Sequence, residues 1–139
     1  VKVSLYPHTG FWLARFDDAV RVATQVDRKD VGVTFNLCHW LKVEGDVDPM
    51  PQLLSEKKRL QFVTINGADK GDTKSMGWDR LIQPLDRGSY DVAGFVRRLR
   101  GEAGWTGPVG LQSYGIPGDK RENLRRSIAA WRRISPPGE

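Results

Sequence analysis

The spacing of apolar residues along the chain switches repeatedly between two and about 3.6, the pattern of strands alternating with helices. VKVSLY (1–6) alternates as a strand. WLARFDDAVRVATQV (12–26) sets Trp12, Phe16, Ala19, Ala23 and Val26 on one helical stripe. VGVTFNL (31–37) is rich in β-branched and aromatic residues and predicts a second strand. A short helix over 50–58 precedes a third strand, LQFVTI (60–65). YDVAGFVRRLRG (90–101) predicts a helix with Asp91 as N-cap and Val92, Phe95, Val96 and Leu99 inward. GPVGLQSYG (107–115) is the fourth strand, and DKRENLRRSIAAWRRI (119–134) closes the chain as a helix expected to bury Leu124, Ile128 and Trp131.

Strands that alternate with helices imply parallel βαβ units. Four units share the 139 residues, and an eight-unit α/β barrel takes ~250. The expected fold is therefore α/β, a single domain over residues 1–139 built as half of a (β/α)8 barrel. Half a barrel exposes two sheet edges. Two copies closing one barrel, an N-terminal half not included in this chain, or another closure of the sheet would each cover them. A flavodoxin-like sheet is the alternative, although no Gly-rich phosphate loop follows the first strand. The longest connections, beginning NLCHW and NGADK, follow strands. In a barrel those loops form the ligand-binding rim at the C-terminal ends of the strands.

Composition narrows this picture. Apolar residues make up 39% of the chain and charged residues 28%, values of an ordered globular domain. No apolar run approaches the ~18 residues that span a bilayer, and no membrane association is expected. The first residues lack a signal-peptide core and an initiator Met, so processing, or origin as one piece of a longer protein, is expected. A single cysteine excludes an internal disulfide and leaves the compartment open. From Arg97 onward there are nine Lys/Arg and four Asp/Glu, against thirteen of each before it. The excess flanks apolar positions at helical spacing, as on solvated helix faces, and no nucleic-acid recognition motif accompanies it.

The candidate chemistry sits at the strand ends. Asn36, Asn66 and Gln112 are amides, poor acids and poor bases suited to binding hydroxyl-rich ligands. His39 follows Asn36 by three positions, and His8 ends the first strand, so both histidines of the chain fall on the rim. Cys38, between two rim positions, should point inward as a buried thiol. Two histidines do not make a metal site alone; a loop carboxylate, Asp69 or Asp72, would be needed as third ligand. Gln112 should look away from the helices if Val109 and Leu111 face them. Trp40 and Trp78 are candidates for stacking on a sugar, whereas Trp105 precedes a strand and reads as structural at the opposite face. Lys120 and Arg121, at the start of the last helix, are weak candidates for phosphate binding.

With these elements placed, the chain resembles the C-terminal half of the sugar phosphate isomerase/epimerase family, the xylose isomerase-like TIM barrels that also include endonuclease IV type DNA-repair enzymes. The resemblance is most specific over VGVTFNLCHWLKVEGD and LIQPLDRGSYDVAGFVRRLRGEAGWTGPVGLQ. In the second stretch Gly88, Asp91, Phe95, Leu99, Arg100, Gly104, Trp105, Gly107, Pro108 and Leu111 carry the rhythm. It implies strands five to eight of a barrel, and a divalent metal held by a Glu, an Asp, a His and a Glu at the strand ends. Those four positions fall on Tyr6, Asn36, Thr64 and Gln112, none of which keeps the family's ligand. His39 matches a histidine that follows the family's Asp, and Asn66 a polar rim position.

The expected function is that of a sugar isomerase/epimerase-like protein binding a small sugar or polyol. Asn36, Thr64, Asn66, Gln112, Trp40 and Trp78 would contact the ligand, and any catalysis would be metal-independent proton transfer by His8, His39 and Tyr6. The alternatives are an altered metal shell of His8, His39 and Asp69, and a catalytically empty half-barrel serving in assembly, as a homodimer or with a missing N-terminal half.

Overall fold

In the computed structural model, which describes residues 1–135, a four-stranded parallel sheet carries helices on one face. The order is β1 (Val3–Leu5), α1 (Phe16–Val26), β2 (Val31–Asn36), α2 (Leu37–Val43), α3 (Met50–Ser55), β3 (Leu60–Ile65), α4 (Trp78–Leu81), α5 (Val92–Gly101), β4 (Val109–Leu111) and α6 (Lys120–Ile134). The strands lie in the order β1-β2-β3-β4, each parallel to the one before it. That unreversed order is the winding of half an α/β barrel. It excludes the flavodoxin-like alternative, whose strand order must reverse at a switch point.

Alternation along the strands sorts their side chains. Val33, Phe35, Val63 and Ile65 point to the helices and are buried with Phe16, Leu53, Phe95, Val96 and Leu99. Phe35 is central, with ring centroids 6.0 Å from Phe16, 5.7 Å from Trp40 and 5.4 Å from Phe95. The opposite face is polar. Ser4 and Thr34 share a 2.7 Å hydroxyl contact there, and the Phe62 ring lies across Gly110, where a Cβ would come within 2.6 Å of it.

Several expectations change in the folded chain. The first helix starts at Phe16, not at 12, leaving Trp12 76% exposed, and its last residue Val26 also faces solvent. The Asp18 carboxylate, accepting the Arg15 N–H at 3.2 Å, fixes that start. The strand expected over 31–37 stops at Asn36, and the segment read as a loop is a helix, α2, entered without any connection. Leu37, Cys38, His39, Trp40 and Leu41 are all buried, so this stretch shows no period by which a helix announces itself. The short helix α4 likewise sits inside the long connection after β3. The helix expected over 50–58 ends at Ser55.

α5 starts as expected, Asp91 accepting the Gly94 N–H at 2.7 Å. α6 buries Ser127 and Ala130, while Leu124 and Ile128 are exposed and Trp131 is half-buried. β4 is a sheet edge, so the outer part of the α6 stripe has no strand beneath it. Leu124, Ile128 and Trp131 line a groove of about 160 Å³ with Ile65, Leu85, Val109 and Leu111. Three of the basic residues of α5 and α6 are drawn into surface ion pairs: Arg98 with Asp48 and Glu102, Arg125 with Glu122, Arg126 with Asp86. No helix among the described residues is long and apolar enough to cross a membrane.

Candidate functional site

The C-terminal ends of the four strands converge on the Tyr6 hydroxyl. Tyr6 follows β1, Asn36 ends β2, Thr64 lies in β3 and Gln112 follows β4; all four alternate onto the polar face. Asn36 Nδ2 donates to the Tyr6 oxygen, and Gln112 Nε2 donates to it from 3.2 Å. Burial raises the Tyr6 pKa above its ordinary value, an effect increased by Cys38 and opposed by hydrogen bonding to Gln112, Asn36 and Thr64. Asn36 is also the N-cap of α2. Its Oδ1 accepts from the His39 N–H at 3.3 Å and from the Cys38 thiol at 3.0 Å. Cys38 is fully buried, and that burial pushes its pKa up to about 12, so the thiol is inert packing.

Above this layer the two histidines meet, with ring centroids 4.2 Å apart. Thr9 holds both. His8 Nδ1 bonds the Thr9 carbonyl at 2.9 Å and must carry the proton, because a carbonyl only accepts. His39 Nδ1 accepts the Thr9 N–H at 3.3 Å, with the Thr9 hydroxyl at 3.0 Å. The neutral tautomers are therefore opposite: Nε2 is basic in His8 and carries hydrogen in His39. Burial, with the charge of His8 adding to it, lowers the His39 pKa to about 4, so His39 is neutral at ordinary pH. Phe11 packs edge-on to His8 at 4.6 Å, and Trp78 edge-on to His39 at 5.4 Å. Phe11, His8, His39 and Trp78 thus form a continuous aromatic row, in which Phe11 and Trp78 are exposed.

The loop carrying Trp78 is tied to α2 and to the loop after it. Lys42 Nζ donates to the carbonyls of Lys74 and Met76 at 2.8 and 2.7 Å, Thr73 Oγ1 to that of Leu41 at 2.6 Å, and the Gly71 N–H to Asp46 at 2.8 Å. Asn66 anchors the loop base by donating to the Gly67 and Leu81 carbonyls, its fully buried Oδ1 left without a partner.

Some sequence-predicted site residues lie elsewhere. Trp40 is a core residue, packed on Phe35 with its indole N–H on the Val47 carbonyl, and offers no stacking face. Asn66 is held by its own backbone surroundings. Asp69 does not reach the histidines: Arg80 binds it at 2.8 Å and the Ser89 N–H at 3.3 Å. No three His, Cys, Asp or Glu side chains are grouped for a metal among the described residues. Lys120 turns back to the Ile116 carbonyl, and the α6 N-terminus is capped by Asp119, so no phosphate cradle forms. Trp105 lies at the other end of the sheet with Lys2 and Gln61, in the structural position expected of it. Sequence reasoning missed Thr9, Phe11 and Lys42. Only Thr9, in a turn between a histidine and Gly10, left any trace in the pattern.

The donor set does not suit a divalent cation. The four strand ends offer a phenol, two amides and a hydroxyl, with no carboxylate. Both amide oxygens are turned away, onto Cys38 and His39 in one case and the Tyr114 N–H in the other.

Comparison with known proteins gives a consistent picture. Residues 1–134 match the family model described as xylose isomerase-like TIM barrel. Among solved structures, the IOLI protein with a binding zinc atom superposes with a TM-score of 0.73 at 16% identity, covering 96% of this chain and 49% of that one. The 3-keto-D-glucoside 4-epimerase YcjR from E. coli, in its apo form, gives 0.71 at 20% identity, with 96% and 46% covered. D-psicose 3-epimerase with D-tagatose, from Clostridium cellulolyticum H10, gives 0.66 at 16%, with 96% and 47% covered. The chain thus spans about half the length of these proteins. No curated protein matches it.

Proposed function

The chain belongs to the xylose isomerase-like TIM barrel family, and on that premise we propose that its strand-end face binds a small sugar or polyol without a metal. The observation that carries the reading is the convergence of Tyr6, Asn36, Thr64 and Gln112 beneath the aromatic row of Phe11, His8, His39 and Trp78. Hydroxyls and amides exchange hydrogen bonds with sugar hydroxyls, and exposed aromatic faces cover the C–H faces of the ring. The names of the epimerases among the structural neighbours favour the same ligand class.

Where the ligand carries a carbonyl, proton transfer follows from the tautomers. His8 Nε2 takes the proton from the carbon next to the carbonyl, and the electron pair moves onto the carbonyl oxygen. Return of a proton to the same carbon on its opposite face gives the epimer. Return to the former carbonyl carbon, with the neighbouring hydroxyl losing its proton as the first oxygen gains one, gives the isomer, and neither path changes the net oxidation state. His39, neutral and hydrogen-bearing at Nε2, acts as donor to a ligand oxygen.

We also propose that four further βα units complete the barrel, supplied by a second copy or by an N-terminal half. The groove beside β4 and α6 and the double length of the structural neighbours support this. Light scattering tests it: a mass of two chains is expected if copies pair, and a stable monomer with a full near-ultraviolet signal refutes pairing.

The functional test is calorimetric titration with ketoses and alditols in the presence of EDTA, combined with exchange of carbon-bound hydrogen in D2O followed by NMR. Binding with exchange that is lost in His8→Gln is expected. Binding without exchange leaves a sugar-binding module, and no binding of either class refutes the reading.

A further inference from the structure

The Tyr6 hydroxyl is surrounded by hydrogen-bond donors. Asn36 Nδ2 and Gln112 Nε2 both point to its oxygen, and neither amide is free to turn. Asn36 Oδ1 is held by the Cys38 thiol and the His39 N–H, and Gln112 Oε1 by the Tyr114 N–H at 3.1 Å. Turning either amide would set its oxygen against the Tyr6 oxygen and its NH2 against N–H donors. A phenol oxygen accepts at two sites, and both are taken. What remains to it is one O–H.

Inside the protein that O–H has Thr64 as its neighbour. The Thr64 hydroxyl donates to the Phe35 carbonyl at 3.5 Å, leaving its own oxygen able to accept. The amide N–H groups donate to Tyr6, and the Thr64 hydroxyl donates to the main chain. Tyr6 is 36% exposed, so a ligand on the open face reaches the same proton. Burial keeps the phenol protonated.

We infer that Tyr6 presents its O–H, and not its oxygen, to the ligand, so that the site takes a ligand oxygen that accepts without donating: the carbonyl oxygen of an open-chain sugar. This rests on the sugar reading above and narrows it. An alditol hydroxyl at the same point would have to place its own proton among donors already committed to Tyr6 and to each other.

The experiment has two arms. The tyrosine Fermi-doublet ratio in the Raman spectrum, taken as the difference between wild type and Tyr6→Phe, reports whether this phenol accepts or only donates. An accepting phenol is expected in wild type, with a shift toward donor character in Asn36→Asp, which keeps the helix cap but cannot donate. A wild-type phenol that only donates overturns the inference, whether or not sugar binds. In the second arm, L-erythrulose, a ketose too short to close a stable ring, and erythritol, its alditol, are titrated calorimetrically. Tyr6→Phe is expected to weaken erythrulose by about tenfold and erythritol by less than about twofold. Erythrulose binding unchanged in Tyr6→Phe overturns the inference while the sugar reading stands. No binding of either compound to wild type overturns the sugar reading and the carbonyl assignment together, and the Raman ratio then still decides the polarity of Tyr6.

Discussion

Gln112 Nε2 lies 3.2 Å from the Tyr6 hydroxyl although the two residues are 106 positions apart and follow strands at opposite edges of the sheet. Only a strongly curved sheet brings its two edges within reach of one hydrogen bond. The contact therefore reports barrel curvature already present in four strands, and it assembles the polar floor of the site.

Removing that tie should relax the curvature. Gln112→Leu is expected to lower the stability by about 1–2 kcal/mol, since its bonds to the Tyr6 hydroxyl and from the Tyr114 N–H are both lost at a partly solvated position. Urea denaturation of wild type and variant measures it. Gln112→Glu, which keeps an acceptor for the Tyr114 N–H and loses only the donor to Tyr6, should cost less.

His39 makes stability depend on pH. Its folded pKa, about 4, lies below the ordinary 6.5, so between these values the unfolded chain binds more protons than the folded one. The stabilisation associated with neutral His39 is complete above about pH 6.5 and is lost as pH falls toward 4. The expected loss is on the order of 2 kcal/mol between pH 7 and pH 4, allowing for solvent reaching part of the ring. Denaturation at a series of pH values should show this slope in wild type and a flatter one in His39→Gln. An equal slope in both would refute the assignment.

Lys42 positions Trp78 through the two carbonyls it binds, and its ammonium lies 5.9 Å from the Trp78 ring centroid. Lys42→Met keeps the packing stem and removes the charge-assisted bonds, each ~1–2 kcal/mol at a partly exposed site. Amide hydrogen exchange over residues 70–78 should accelerate at least about tenfold, with exchange in β2 and β3 unchanged. Sugar affinity should fall in parallel if Trp78 covers the ligand.

The sequence by itself determined the alternation of strands and helices and the half-barrel class. Period-two and period-3.6 patterns are local consequences of which face each element buries, as at Val33 and Phe35 or at Val92, Phe95, Val96 and Leu99. It also located the rim, because His8, Asn36 and Gln112 sit where strands end. It did not reveal α2, whose first five residues are buried all round and carry no period, nor the burial of Trp40. The exposure of Leu124 and Ile128 depends on α6 overhanging an edge strand, which no local pattern encodes. Tertiary structure alone decided that Asp69 belongs to Arg80 rather than to the histidines, and that Thr9 fixes opposite tautomers in His8 and His39. It also decided that both amides turn their N–H groups to Tyr6. The physical reason is common to all of these: residue type sets what a side chain is able to donate or accept, and only the packed arrangement of distant strands sets which partner it meets.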